Sequence, residues 1–317
     1  MTIVAPTPQA IADAAVALRS GALVAFPTET VYGLGADATS GLAVAGVFSA
    51  KGRPTFNPLI IHVAQVEAVP ALAHLTPLAE QLAAAFWPGA LTLVLAKRAN
   101  RIIAELATAG LETIAVRVPA HPIAQALLRA VNLPIAAPSA NRSGHVSPTM
   151  AQHVATDLGD RVAMILDGGA TPVGLESTVV DVTGAAPVIL RLGGIAREEV
   201  ERVLGYPVAL AGDDNVKPSS PGMLARHYAP ATRLRLDARD IQPGEALLAF
   251  GANAPKLAGP SFNLSPTGDL IEAAANLFAA LRTLDASGAS AIAVMPIPAY
   301  GLGEAINDRL QRAARTE

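Results

Sequence analysis

Cysteine is absent from all 317 residues. That excludes disulfides, a thiolate zinc site and a thiol nucleophile. Aromatic residues make up only 4% of the chain, too few to suggest a run of rings spaced for stacking bases. Charged residues are scarce as well, at 15%, yet the 51% hydrophobic content falls in periodic segments, which argues for a globular core of Ala, Val and Leu and not for disorder. No apolar run is long enough to span a membrane. The start, MTIVAPTPQA, has neither the basic residues nor the apolar stretch of a secretory signal. A cytoplasmic protein without membrane attachment is the expectation. A net charge of −3 gives no overall attraction to nucleic acid and leaves only a local basic groove, with Lys51, Arg53, Arg117, Arg142 and Arg191 as its candidate members. Also missing are a GxxxxGK[ST] loop, an HExxH pair, a GxSxG elbow and a GxGxxG fingerprint. The six histidines show no metal-site spacing. Neither a protein-bound metal nor an acyl-enzyme is indicated.

Two stretches carry the chemistry that is present. Pro27 to Gly35, PTETVYGLG, follows the apolar segment Ala22 to Phe26 and reads as a loop at the end of a buried strand. It offers hydroxyls from Thr28, Thr30 and Tyr32 and a carboxylate from Glu29. Strand ends are where α/β proteins bind ligands. Lys51 to Leu59, KGRPTFNPL, then brings two cations one residue apart in a loop braced by Pro54 and Pro58. A lysine supplies a point charge and an arginine a two-pronged donor, a combination suited to a polyphosphate. Each stretch also has a structural reading, the first as a helix cap and the second as a solvated loop.

Length predicts two domains. Helices are expected near 9–20, 40–50, 66–74, 77–86 and 121–131, with strands at Leu59 to Val63, Leu91 to Ala96, Thr113 to Val118, Pro134 to Ala137, Val162 to Leu166, Ser177 to Val182 and Val188 to Leu192. Strands joined both by helices and by short turns argue for α/β architecture with a mixed sheet and helices packed on it. The expected division is a first domain over 1–207, a Pro/Ser/Gly-rich linker over 208–230, and a small Rossmann-like α/β domain over 231–317. The linker segment Pro218 to Pro230 carries Arg226, His227 and Tyr228, which a passive tether would not need, so it reads as a lid or as a docking segment.

FPTETVYGLG followed by KGRPTFNPLIIHV resembles the opening of the YrdC/YwlC family, the threonylcarbamoyl-AMP synthases, and the similarity runs to about residue 205. The second domain matches the longer, two-domain members. The resemblance implies an open twisted fold around a large groove and a nucleotidyltransferase that joins L-threonine, bicarbonate and ATP, releasing pyrophosphate, as the first step of N6-threonylcarbamoyladenosine formation in tRNA. It implies threonine binding by Thr30, His62, Arg117 and Ser177. It implies ATP binding by Lys51, Arg53, Asn57, Thr113, Ser139, Ser147, Arg191 and Tyr228, with Lys51 and Arg53 as the catalytic pair. Mg²⁺ would arrive with the ATP, no protein-bound metal or organic cofactor is expected, and the product would pass to a downstream tRNA threonylcarbamoyl transferase with little or no direct tRNA contact. His62, in the apolar run IIHV, also reads as a core histidine, and Glu29 receives no ligand. Two rival functions are a non-catalytic RNA-binding module and a carbamoyl-transfer domain.

Overall fold

The computed structural model describes residues 2–99, 102–212, 227–255 and 259–315. Among them, eleven strands form one sheet in the order Thr2–Val4, Met164–Leu166, Val24–Pro27, Tyr32–Asp37, Ile135–Ala136, Ile60–His62, Thr113–Arg117, Leu91–Ala96, Thr178–Asp181, Val188–Arg191 and Ala209–Leu210. Parallel and antiparallel neighbours mix: Ile60–His62 runs parallel to Thr113–Arg117, which runs antiparallel to Leu91–Ala96. The mixed α/β sheet expected from the sequence is therefore present. It extends through Leu210, which pairs with Ile189.

Side chains alternate across this sheet as strand geometry requires. Val24 and Phe26 join one apolar cluster with Ala14, Leu18, Leu127 and Leu166, while Ala25 between them joins another with Leu34, Val47, Ile61 and Leu93. Helix Pro8–Arg19 covers the first face, capped by Thr7, whose Oγ1 accepts from the Ala10 N–H at 3.2 Å. Helix Gly41–Lys51 covers the second; Ser40 caps its start and Gly52, at φ 62°, ends it. The chain turns there, so Lys51 and Arg53 leave the helix end in different directions.

The sequence places PTETVYGLG in a loop, and the structure corrects that. Only its first half turns; Tyr32–Asp37 is a strand antiparallel to Val24–Pro27. Gly35 is there for space: a Cβ would lie 2.9 Å from the Phe26 ring and 3.2 Å from the Val24 carbonyl oxygen. Tyr32 is fully buried, its hydroxyl donating to the Gly169 carbonyl at 2.8 Å. The expected helix at 66–74 is a 3₁₀ turn, Val66–Ala71, with Pro70 inside it, and the helix Ala151–Leu158 and the strand Thr2–Val4 are additional.

A second sheet of four parallel strands, Leu234–Arg235, Ala291–Val294, Glu245–Ala249 and Ser261–Asn263, packs against helices Leu270–Asp285 and Leu302–Ala314. Its core, with Leu277, Phe278, Ile292 and Ile306, also takes in Val31, Val146 and Leu175 from the first unit. The two apolar cores meet across the boundary. Gly174, at φ 73°, fits against the backbone of the helix Leu270–Asp285, where a Cβ would fall 2.4 Å from the Ala274 carbonyl oxygen.

Candidate active site

One end of the large sheet gathers the chemistry. Because the sheet is mixed, that end collects the last residues of strands running one way and the first residues of those running the other. His62 and Arg117 are register partners at the ends of adjacent parallel strands. Ser177 immediately precedes Thr178, which pairs with Leu91. Arg191 closes its strand beside Val179, and Ser139 forms a bridge to Gly33. Around these residues lies a narrow cavity lined by Thr30, Arg53, His62, Arg117, Ser139 and Arg191, with Glu176, Ser177, His227 and Tyr228 completing the wall.

Arg117 is held on three sides. Its Nε donates to the Gly89 carbonyl at 3.1 Å, Nη1 to Thr30 Oγ1 at 2.9 Å and Nη2 to Glu29 Oε1 at 2.6 Å. The other Glu29 oxygen accepts from the Ala120 and His121 N–H groups, at the entry to helix Pro122–Val131. Burial works to raise the Glu29 pKa, but the Arg117 charge and hydrogen bond outweigh it and hold the carboxyl below its ordinary value. Glu29 thus has the partner that sequence could not assign. Arg191 donates to the Ser177 carbonyl from Nε at 3.1 Å and from Nη2 at 2.8 Å. Ser177 Oγ is also hydrogen-bonded to Thr92 Oγ1 at 2.7 Å.

Positive charge accumulates here. Burial, then the neighbouring Arg191, pushes the Arg53 pKa down to about 9, and burial likewise lowers Arg191. The guanidiniums stay protonated at neutral pH, so crowding of like charge is a cost that a bound polyanion would relieve. His62 is neutral: burial, then the Arg117 charge, brings it down to about 3. Its Nδ1 lies 3.3 Å from the Ile60 carbonyl oxygen, and its ring meets Phe26 edge-on. Among the described residues, Asn57 is wholly buried with neither amide atom paired, and Tyr228 Oη and His227 Nδ1 are also unpaired. Tyr228 and His227 belong to the cavity wall, where a ligand or water would pair with these two atoms.

Four residues assigned from sequence stand outside the cavity wall. Lys51 is not among the lining residues: Nζ donates to the Ser139 carbonyl at 2.6 Å and to the Asn141 carbonyl at 2.5 Å, so it ties down the loop that carries Ser139. Ser147 is buried and donates to Glu176 Oε1. Asn57 adjoins Arg53, whose Nη2 donates to the Pro58 carbonyl at 2.9 Å. Thr113 occupies the far end of the Arg117 strand, about 13 Å away at the usual rise. Arg142 is exposed and does not line the cavity. Of the linker assigned as a lid, Pro218 to Arg226 lie outside the described residues, while His227 and Tyr228 line the cavity. Glu176 and Arg309 were missed. Glu176 was legible as the carboxylate beside Ser177 in GLESTVVD, but Arg309, between Asp308 and Arg312, looks like part of a solvated helix face.

A wider groove of about 920 Å³ opens between the two units near His145, His153, Arg233 and Arg282. It contains none of the residues the sequence singles out, and its Arg282 is already paired with Asp157 at 2.6 Å. The narrow cavity is the stronger candidate because independent sequence motifs converge there.

The Sua5/YciO/YrdC family model, described as telomere recombination, matches residues 16–193, and the model for the C-terminal domain of threonylcarbamoyl-AMP synthase matches 195–315. The chain is 44% identical over 317 residues to the threonylcarbamoyl-AMP synthase of Pyrococcus abyssi, covering 94% of this chain and 92% of that one. It belongs to the threonylcarbamoyl-AMP synthase family. The Bacillus subtilis member is 43% identical over 328 residues, covering 96% of this chain and 92% of its own. The crystal structure of P. abyssi Sua5 complexed with L-threonine superposes with a TM-score of 0.89 at 42% identity, over 97% of this chain and 95% of that one. Family membership makes this chain a nucleotidyltransferase-type enzyme with both domains of the longer form. Among the described residues no helix is long and apolar enough to cross a membrane.

Proposed function

We propose that the cavity at the sheet end makes threonylcarbamoyl-AMP from L-threonine, bicarbonate and ATP, the first step of N6-threonylcarbamoyladenosine formation in tRNA. The observation that carries this reading is the convergence of Arg53, Arg117 and Arg191 with Thr30, His62, Ser139 and Ser177 around one cavity. The threonine amine attacks the carbon of bicarbonate, and loss of water leaves a carbamate. A carbamate oxygen then attacks the α-phosphorus of ATP, and the bond to the bridging oxygen breaks to release pyrophosphate. No protein nucleophile is needed. The protein must hold two anions together and stabilise charge on the phosphates. Arg117, braced by Glu29 and Thr30, suits the threonine carboxylate, while Arg53 and Arg191 face the phosphates. Both carboxylates near the cavity, Glu29 and Glu176, are already engaged by arginines. Mg²⁺ therefore enters with the ATP, held by phosphate oxygens and water.

The cavity holds only about 40 Å³ with His227 and Tyr228 in its wall, far below the roughly 300 Å³ or more of a small-molecule site. Substrate entry therefore requires that pair to withdraw. The mixed-anhydride product, labile in water, passes to a tRNA-modifying transferase. The test is pyrophosphate release with each substrate omitted in turn. All three should be required, and release without threonine or without bicarbonate would reject the reading.

A further inference from the structure

Arg309 is the largest fully buried side chain among the described residues. It sits on the inner face of helix Leu302–Ala314 with Ile306 and Leu310, in the second domain, yet reaches the wall of the cavity in the first. Its Nε donates to Glu176 Oε2 at 3.0 Å, its Nη2 to the Leu192 carbonyl at 2.7 Å and its Nη1 to Asp308 Oδ2 at 2.6 Å. Its guanidinium carbon stands 4.8 Å from the centre of the Tyr228 ring, which stacks in turn on Phe278. A cation this deeply buried persists only with good partners. Burial opposes its charge, but Tyr228, Glu176 and Asp308 hold the pKa above the ordinary arginine value.

Glu176 is the reason this contact bears on chemistry. It lines the cavity, its second oxygen accepts from Ser147, and it precedes Ser177, whose carbonyl holds Arg191. A lone carboxylate in that wall would repel a triphosphate. We infer that Arg309 is a positioning residue by which the second domain neutralises Glu176 and so makes the cavity wall compatible with a polyanion. This rests on the reading that the cavity takes ATP. It gives the second domain a role in the reaction that the motifs of the first domain leave unassigned.

The test measures binding of Mg·ATP and of L-threonine to the full chain by titration calorimetry. In Arg309→Met, ATP affinity should fall about tenfold or more, whereas threonine, with no net charge, should change by less than about threefold. Adding Glu176→Gln removes the unpaired charge, and the double variant should recover ATP affinity to within about threefold of wild type. A purely structural role predicts no such rescue. Unchanged ATP affinity in Arg309→Met, or a double variant as weak as the single one, would overturn the inference. If Arg309→Met does not fold, Glu176→Gln alone carries the test. It leaves an added positive charge beside the phosphates, so ATP should bind as well as to wild type or more tightly, and a tenfold loss would overturn the inference. Wild-type protein that binds no Mg·ATP would instead reject the nucleotide reading itself, and this inference with it.

Discussion

At the scale of single residues, the site separates side chains that face the cavity from those that hold others in place. Arg53 is of the first kind. Its side chain donates to the backbone carbonyls of Asn57 and Pro58, so removing it strands no buried carboxylate. Arg53→Ala should lower kcat/KM for ATP by about 10- to 150-fold, the loss of one charge-assisted contact of roughly 1.5–3 kcal/mol. Arg53→Lys should lose less, and threonine affinity should hardly move; wild-type kinetics in the alanine variant would remove Arg53 from the phosphate site. His62 gives a pH signature. Its pKa falls from an ordinary 6.5 to about 3 on folding, so below pH 6.5 the unfolded chain binds a proton that the folded chain does not. The stability this neutral imidazole contributes is complete above pH 6.5 and is lost as pH falls toward 3, at about 1.4 kcal/mol per pH unit. Urea midpoints across pH 7 to 4 should therefore fall less steeply in His62→Gln than in wild type, and parallel slopes would contradict the assignment. The family resemblance carried by the sequence motifs made most of this site legible: Thr30, Arg53, His62, Arg117, Ser139, Ser177, Arg191 and Tyr228, which it singles out, all line one cavity. Lys51 was misplaced because adjacency in KGRP says nothing of direction. Gly52 turns the chain between the two cations, and the ammonium finds loop carbonyls first.

At the scale of elements, the hairpin Val24–Pro27 and Tyr32–Asp37 sets the position of Thr30 and, through Glu29, of Arg117. Gly35→Ala would put a methyl group 2.9 Å from the Phe26 ring and 3.2 Å from the Val24 carbonyl oxygen. Overpacking of this kind should cost about 1–3 kcal/mol, read as a lowered urea midpoint with an unchanged m-value. A neutral result would mean that Phe26 has room to move aside. This strand was also the least legible element in the sequence. YGLG looks like a turn because two glycines normally weaken a strand, and only the neighbouring strands explain why a side chain is excluded at Gly35. Helices with caps and a clear apolar face were easier to place: Pro8–Arg19 and Pro122–Val131 were found within about two residues. Ala151–Leu158 was not, although Ala151, Val154 and Leu158 are buried at helical spacing, because two turns give too short a periodic signal.

At the scale of the whole molecule, the two domains share an apolar core and complete one cavity between them. Gly174 is where their backbones come closest. Gly174→Ala forces a methyl group against Ala274 and Ala275 in a left-handed conformation. It should cost at least about 2 kcal/mol and lower pyrophosphate release together with stability; full activity at wild-type stability would show that the domain contact is not needed for catalysis. Contacts at the boundary such as Arg197 with Glu304 are partly exposed and contribute little by comparison. Beyond the segment that carries Tyr228, little of this boundary was readable in advance: Glu176 and Arg309, like Arg197 and Glu304, lie more than a hundred positions apart, and each resembles an ordinary surface residue. The reach of Arg309 into the cavity wall also bears on how the protein is made. A ribosome completes every first-domain motif that resembles the family's active site, and the sheet that carries them, by Leu210. Roughly five to twenty seconds of further elongation pass before Arg309 is added. During that interval, and permanently in any product cut short by a premature stop, the nascent chain has the motifs without the cation that balances Glu176. Translation itself thus withholds an intact pocket from fragments.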